Sequence, residues 1–87
     1  STGVSEFDFY NSNINVYSSQ KTVYINQNKF IGNLIFTIYD LSGRVLSNKT
    51  IDSDTDQMDL NQISSGIYLY NIKSDGKQVK VGKLFLQ

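Results

Sequence analysis

The chain contains no cysteine, histidine, proline or tryptophan. Without cysteine there is neither a disulfide nor a thiolate metal site, so packing and hydrogen bonds alone must hold the fold. Without histidine and cysteine, the usual neutral-pH general base and the strongest nucleophile are both missing. The acidic residues cluster in turns with no sign of a buried partner, which argues against a carboxylate pair and against an enzyme. Eight basic and eight acidic side chains cancel, so no global field favours nucleic acid or anionic lipid. The apolar runs fall far short of the ~20 residues a membrane helix needs, which argues against membrane insertion. The first residues lack a basic stretch followed by an apolar one, so no signal peptide of the usual kind is expected. Nothing in the composition calls for a cofactor.

What is present is β-forming. Aromatic and β-branched residues alternate with Asn, Ser and Asp, and few stretches show a 3.6-residue period. The 87 residues therefore predict one all-β domain with polar turns and a modest core. The chain is organised around residues 59–72. Leu60 and Ile63 sit three apart with polar residues between, so a tight turn can point both inward. Ser64-Ser65-Gly66 then breaks the chain, and Tyr68, Tyr70 and Ile72 fall on one strand face. A tyrosine just inside a strand, after a Gly-containing crossing between sheets, resembles the tyrosine corner of immunoglobulin-like sandwiches. There the ring packs in the core and its hydroxyl bonds upstream backbone. The alternative is a tyrosine merely half-buried in a strand; the order Leu, Ile, Gly, Tyr favours the corner.

Residues 1–11 read as a linker or an approach strand, with Phe7 and Phe9 alternating against Asp8 and Tyr10, and Asn11-Ser12-Asn13 signals a turn. Ile14 and Val16 mark a first strand, residues 18–21 turn the chain, and residues 22–26 form a second strand with Val23 and Ile25 on one face. In the loop that follows, Phe30 and Ile31 are expected to reach back into the core. Residues 34–41 are the most apolar run: Leu34, Phe36 and Ile38 share one face, Ile35, Tyr39 and Leu41 the other. That pattern predicts a central strand covered on both sides. Asp40-Leu41-Ser42-Gly43 has the signature of a type I turn with a left-handed Gly43, and residues 44–51 return as a hairpin partner nearer an edge. Residues 57–60 add a short strand before the corner. Asp75-Gly76 supplies a two-residue primed turn, and residues 77–86 form the last strand. Its pattern slips between Val79 and Val81 on one parity and Leu84 and Leu86 on the other, so a β-bulge is expected at Gly82. Lys77, Lys80 and Lys83 are expected to keep the exposed side basic. The count is about seven antiparallel strands, as in a small sandwich.

Asp52, Asp54 and Asp56 alternate like the start of a calcium loop, with oxygens at the first, third and fifth positions. The sixth position is Gln57, where an EF-hand needs Gly, and the twelfth is Ile63, where it needs a bidentate Glu. The stretch therefore reads as a solvated acidic loop, and no metal site is assigned.

Three motifs line up with a known family. Ile38-Tyr39-Asp40-Leu41-Ser42-Gly43-Arg44-Val45 resembles its first motif, an apolar strand ending in a polar turn with Gly and a basic residue. Leu60 with Ser65-Gly66-Ile67-Tyr68 is similar to its second. A final strand opened by Gly76-Lys77 and carrying Lys83-Leu84 resembles its third. In order and spacing, residues 12–87 resemble the C-terminal sorting domain of the type IX secretion system of Bacteroidetes. One departure is that Val16-Tyr17 is followed by Ser18-Ser19, where many members carry a Tyr-Pro-Asn-Pro turn.

The resemblance implies an immunoglobulin-like β-sandwich, a monomer, at the end of a larger exported protein. Such a domain crosses the periplasm folded and directs its cargo to an outer-membrane translocon, after which the cargo stays at the cell surface or is released. A sortase-like protease then typically removes the domain, here at or before residues 1–10. The final hairpin, residues 66–87, is the expected recognised surface: an edge strand offers unpaired backbone and lysines orient the partner. The candidates are Lys77, Lys80, Lys83, Leu84, Phe85, Leu86 and Gln87. Asp40, Gly43, Gly66, Tyr68 and Gly76 are assigned to turns and the corner. For the lysines, a plain solvated edge is the competing reading. For the domain, it is an accessory cell-surface or carbohydrate-binding module using Tyr10, Tyr17 or Tyr24, or a passive spacer.

Overall fold

A computed structural model describes residues 14–27 and 33–87. The expectations for residues 1–11, the turn at Asn11-Ser12-Asn13, and Phe30 and Ile31 fall outside them. Seven strands run in order: β1 (Ile14–Ser19), β2 (Thr22–Gln27), β3 (Leu34–Tyr39), β4 (Val45–Ile51), β5 (Thr55–Asp59), β6 (Gly66–Ser74) and β7 (Lys77–Leu86). They pair antiparallel in two sheets, a three-stranded one ordered β1-β2-β5 and a four-stranded one ordered β4-β3-β6-β7. The chain changes sheet between β2 and β3, β4 and β5, and β5 and β6. This is an all-β sandwich consistent with the immunoglobulin-like architecture.

Each strand places alternate side chains in the single core. From the three-stranded sheet come Ile14, Val23, Ile25 and Met58; from the other, Phe36, Ile38, Ile51 and Ile72 among others. Burial of each such aliphatic or aromatic side chain is worth about 1.5–3 kcal/mol, which is what replaces a covalent crosslink here.

The corner forms as expected. Leu60 is buried, Ile63 packs partly against the core, and the Ile63 N–H donates to the Leu60 carbonyl at 3.0 Å. The chain then crosses from β5 to β6, and the Tyr68 hydroxyl donates to the Ser64 carbonyl at 2.6 Å. With Tyr68 inward, Tyr70 and Ile72 follow at period two and are buried as well. The β6–β7 hairpin closes through Asp75 (φ 54°) and Gly76 (φ 78°), both left-handed, as a primed two-residue turn demands.

Two expectations are corrected. First, β3 is central but covered on one side only. Leu34, Phe36 and Ile38 are fully buried, whereas Ile35 is 48% exposed and Leu41, which lies beyond the strand in the turn, is 65% exposed. Apolar β-branched residues favour strands whichever face they occupy, so an apolar run reports strand propensity as well as burial. Second, the bulge in β7 is not at Gly82. Lys80 pairs with Ile72 and Gln78 with Lys73, which leaves Val79 as the extra residue. Val79 still packs on the core, but Val81 turns outward. The lysines consequently do not share a side. Lys77 and Lys80 pair with Ser74 and Ile72 on the inward parity at the hairpin end, and Lys83 pairs with Leu69 facing out.

Gly82 has a different task. It lies opposite Tyr70, whose ring stacks on Phe36 at 5.5 Å between centroids. A Cβ on Gly82 would fall 2.8 Å from Cε2 and from the hydroxyl oxygen of Tyr70. The missing side chain is the space the tyrosine ring fills.

Gly82→Ala is therefore expected to destabilise by about 1–3 kcal/mol, the usual cost of overpacking. In a Tyr70→Leu background the same change should cost measurably less, and strict additivity in denaturant melts would refute the contact. Tyr68→Phe should cost about 0.5–1.5 kcal/mol through the lost corner bond. In thermal melts this appears as a fall in Tm of about 4–8 °C per kcal/mol for a domain of this size.

Candidate recognition surface

The turn at the end of β3 is built by one carboxylate. The Gly43 N–H donates to the Asp40 carbonyl and the Asp40 N–H to the Arg44 carbonyl, both at 3.0 Å, with Gly43 at φ 93°. Around this frame Asp40 Oδ1 accepts from the Ser42 hydroxyl at 2.6 Å and from the Ser42 and Arg44 backbone N–H groups at 3.0 Å each. Oδ2 accepts from Arg44 Nε at 3.1 Å. Asp40 thus satisfies backbone donors that the tight turn cannot pair, as Asp at the first turn position commonly does. These bonds lower its pKa from 3.8 to about 2, the Ser42 hydroxyl contributing most, then the Arg44 N–H, against a smaller opposing effect of desolvation.

The seven residues proposed for recognition do not share a face. Leu84 and Leu86 are buried in the core, while Phe85 between them is 60% exposed and Lys83 faces out beside it. Lys77 and Gln87 are exposed and Lys80 is half-buried. β7 is an edge strand with β6 as its ladder partner. Its last residues are tied to the other sheet: the Ser18 hydroxyl donates to the Phe85 carbonyl at 2.7 Å, and the Gln87 N–H donates to the Gln20 carbonyl at 3.2 Å. Among the described residues, the upstream half of β7 has no strand on its outer side. Gly66 (φ 153°) and Gly76 (φ 78°) lie at the two ends of β6, as the corner and turn assignments require.

On the opposite side, Tyr17 and Tyr24 stack at 5.1 Å between centroids on the outward face of the three-stranded sheet, and Tyr17 is half-exposed. Tyr10 lies outside the described residues. The acidic stretch is pulled apart by β5. Asp56 sits in the strand, 3.5 Å from Lys49 Nζ across the sandwich, while Asp52 and Asp54 precede it exposed. Among the described residues no three acidic side chains come together as metal ligands would.

Sequence reasoning missed the outward residues of the four-stranded sheet, Ile35, Val45, Ile67 and Val81, all of them well exposed. For Ile35 the signal is the second apolar parity of β3, which a covered face would show equally.

Because the Asp40 carboxylate is favoured in the fold, its stabilising effect is complete above pH ~4 and is lost as pH falls through about 2. Wild type should lose Tm more steeply than Asp40→Asn between pH 4 and pH 2. Parallel melting curves of the two proteins in that window would contradict the assignment.

A family model described as the secretion system C-terminal sorting domain matches residues 10–87. A comparison with curated proteins found no match. The matched residues take in the Asp40 turn, the tyrosine corner and the whole of the edge strand β7. The chain belongs to the C-terminal sorting domains of the type IX secretion system, the signals that mark a protein for export by that route.

Proposed function

We propose that residues 12–87 act as a monomeric address label on a cargo domain attached upstream through residues 1–11. The label crosses the periplasm folded, is read by the outer-membrane translocon, and is removed by a sortase-like protease at or before residues 1–10. The cargo then remains at the cell surface or is released. The role is non-catalytic and needs no cofactor. The family match over residues 10–87 carries this reading. The absence of histidine and cysteine from the sequence agrees with it.

Within the label, the final hairpin is the part we assign to recognition. Among the described residues β7 is an edge strand with no outer partner along its upstream half, which would suit strand addition; Lys77 and Lys80 lie along that half and Lys83 just beyond it. Leu84 and Leu86 serve recognition through the strand they anchor, since their side chains are buried.

A carbohydrate-binding role has one observation in its favour, the half-exposed Tyr17 stacked on Tyr24. The sorting reading is preferred because it accounts for all three motifs rather than for one aromatic pair.

The test is a fusion of the 87 residues to the C-terminus of a periplasmic fluorescent reporter in a host with the type IX machinery. The intact fusion should reach the surface. A Lys77→Ala/Lys80→Ala/Lys83→Ala variant, still folded by thermal melt, should be delivered less efficiently. Equal delivery would remove the charge component and leave backbone readout. Failure of the intact fusion to leave the periplasm would overturn the sorting reading, and loss of glycan binding in Tyr17→Ala would then support the carbohydrate module.

A further inference from the structure

The two outward faces of the sandwich differ in kind. On the three-stranded sheet the outward positions are Asn15, Thr22, Asn26, Thr55, Gln57 and Asp59 around the tyrosine pair. That is the polar exterior expected of an antiparallel sheet with one wet side. On the four-stranded sheet the outward positions include Ile35, Val45, Ile67, Val81 and Phe85, between 38% and 60% exposed, interspersed with Thr37, Asn48, Thr50 and Asn71. Apart from Tyr17, every large hydrophobic residue left exposed among the described residues lies on this face or, as Leu41 does, in the turn at its end.

The register gathers Val81, Val45, Ile67 and Phe85 on adjoining rows, while Ile35 stands two rows from Val45, between Thr50 and Lys73. Val45, Tyr39, Leu69 and Lys83 form one row across all four strands. Beside that row lies an open depression of about 480 Å³ lined by Tyr39, Leu69, Asn71, Val81 and Lys83. Exposed apolar side chains clustered beside an open depression are the kind of surface that marks an interaction site.

Charge narrows the occupant. Lys73 and Lys83 face outward here, and none of the outward residues of the four strands is Asp or Glu. The nearby Arg44 is already engaged by Asp40. Asp40, paired with Arg44, and Asp75 sit in turns at the ends of the face, and the other described carboxylates lie on β5 and the segment before it. A second copy docked face to face would bring lysines against lysines with no acid between them. A lipid surface is matched by clusters of about 4–8 basic residues, more than this face carries.

We propose that this face docks a protein component of the secretion machinery whose contact patch carries apolar side chains bordered by carboxylates. The proposal rests on the sorting reading and deepens it, adding a surface centred on β3, β4 and β6 to the edge strand.

The experiment uses the same reporter fusion with substitutions away from the terminal strand and from the core. Ile35→Thr/Val45→Thr keeps β-branched residues in place and should cut surface delivery at least about tenfold, the effect of losing one modest contact region. Lys73→Glu should do the same and Lys73→Arg should not. Tyr17→Ser, on the other outward face, should be delivered as wild type. Thermal melts should show all four variants folded at the assay temperature. Normal delivery of the folded face variants, alongside delivery of the intact fusion, would overturn the docking face and leave the sorting reading standing. Failure of the intact fusion would overturn both. Sedimentation of the 87-residue chain should show a monomer, and it should not bind phosphatidylcholine–phosphatidylglycerol vesicles. A dimer, or vesicle binding, abolished by Ile35→Thr/Val45→Thr would overturn the acidic partner in favour of a second copy or a lipid surface.

Discussion

The crossing from β5 to β6 sets the side-chain arrangement of the larger sheet. Leu60 is buried on one side of it, and the Tyr68 hydroxyl holds the Ser64 carbonyl on the other. That bond fixes the inward parity of β6 at its first turn into the core. β6 lies between β3 and β7, so its parity is passed to both: Ile38 stands opposite Tyr70, Phe36 opposite Ile72, and Leu84 opposite Tyr68. A slip of one residue at the corner would turn every one of these side chains to solvent. The bond itself is worth only about 1 kcal/mol, but the register it selects commits a whole sheet face.

Features with local chemical causes were legible in the sequence. Asp75-Gly76 can hardly be anything but a primed turn, because both positions need positive φ and those residues tolerate it. Asp40 and Gly43 specify their turn through a carboxylate aimed at free N–H groups. The corner was legible because Leu60, Ile63, Gly66 and Tyr68 keep a fixed order within a few residues. What escaped depended on a partner strand. Gly82 is compatible with a bulge or with close approach of another group, and only Tyr70, twelve positions earlier and across the sheet, decides for close approach. The second apolar parity of β3 is equally compatible with a covering layer and with an exposed patch. The choice depends on how many layers the domain has, which no stretch of β3 encodes.

The residues expected to serve recognition were the least legible, for a geometric reason. A contiguous run such as Lys83 to Gln87 cannot lie on one face of a strand, because successive side chains alternate. Leu84 and Leu86 close the core while Lys83 and Phe85 face outward. A motif spanning those positions therefore mixes two requirements, one for folding and one for display, and the letters alone do not say which is which.

This interleaving bears on how a sorting signal can work. If the machinery read an unfolded tail, Leu84 and Leu86 would be available to it as side chains, and the fold would be irrelevant to recognition. In the folded domain they are unavailable, and what β7 displays among the described residues is its upstream edge together with Val81, Lys83 and Phe85 on the outward face. The same two leucines keep that display in register, since Leu84 and Leu86 pair with Tyr68 and Gly66 at the corner. Display and folding are coupled through one strand, so a domain that lost its corner would also lose the surface it presents. The outward display of β7 therefore exists only in the folded state, and any reader of that display would respond to folding as well as to sequence.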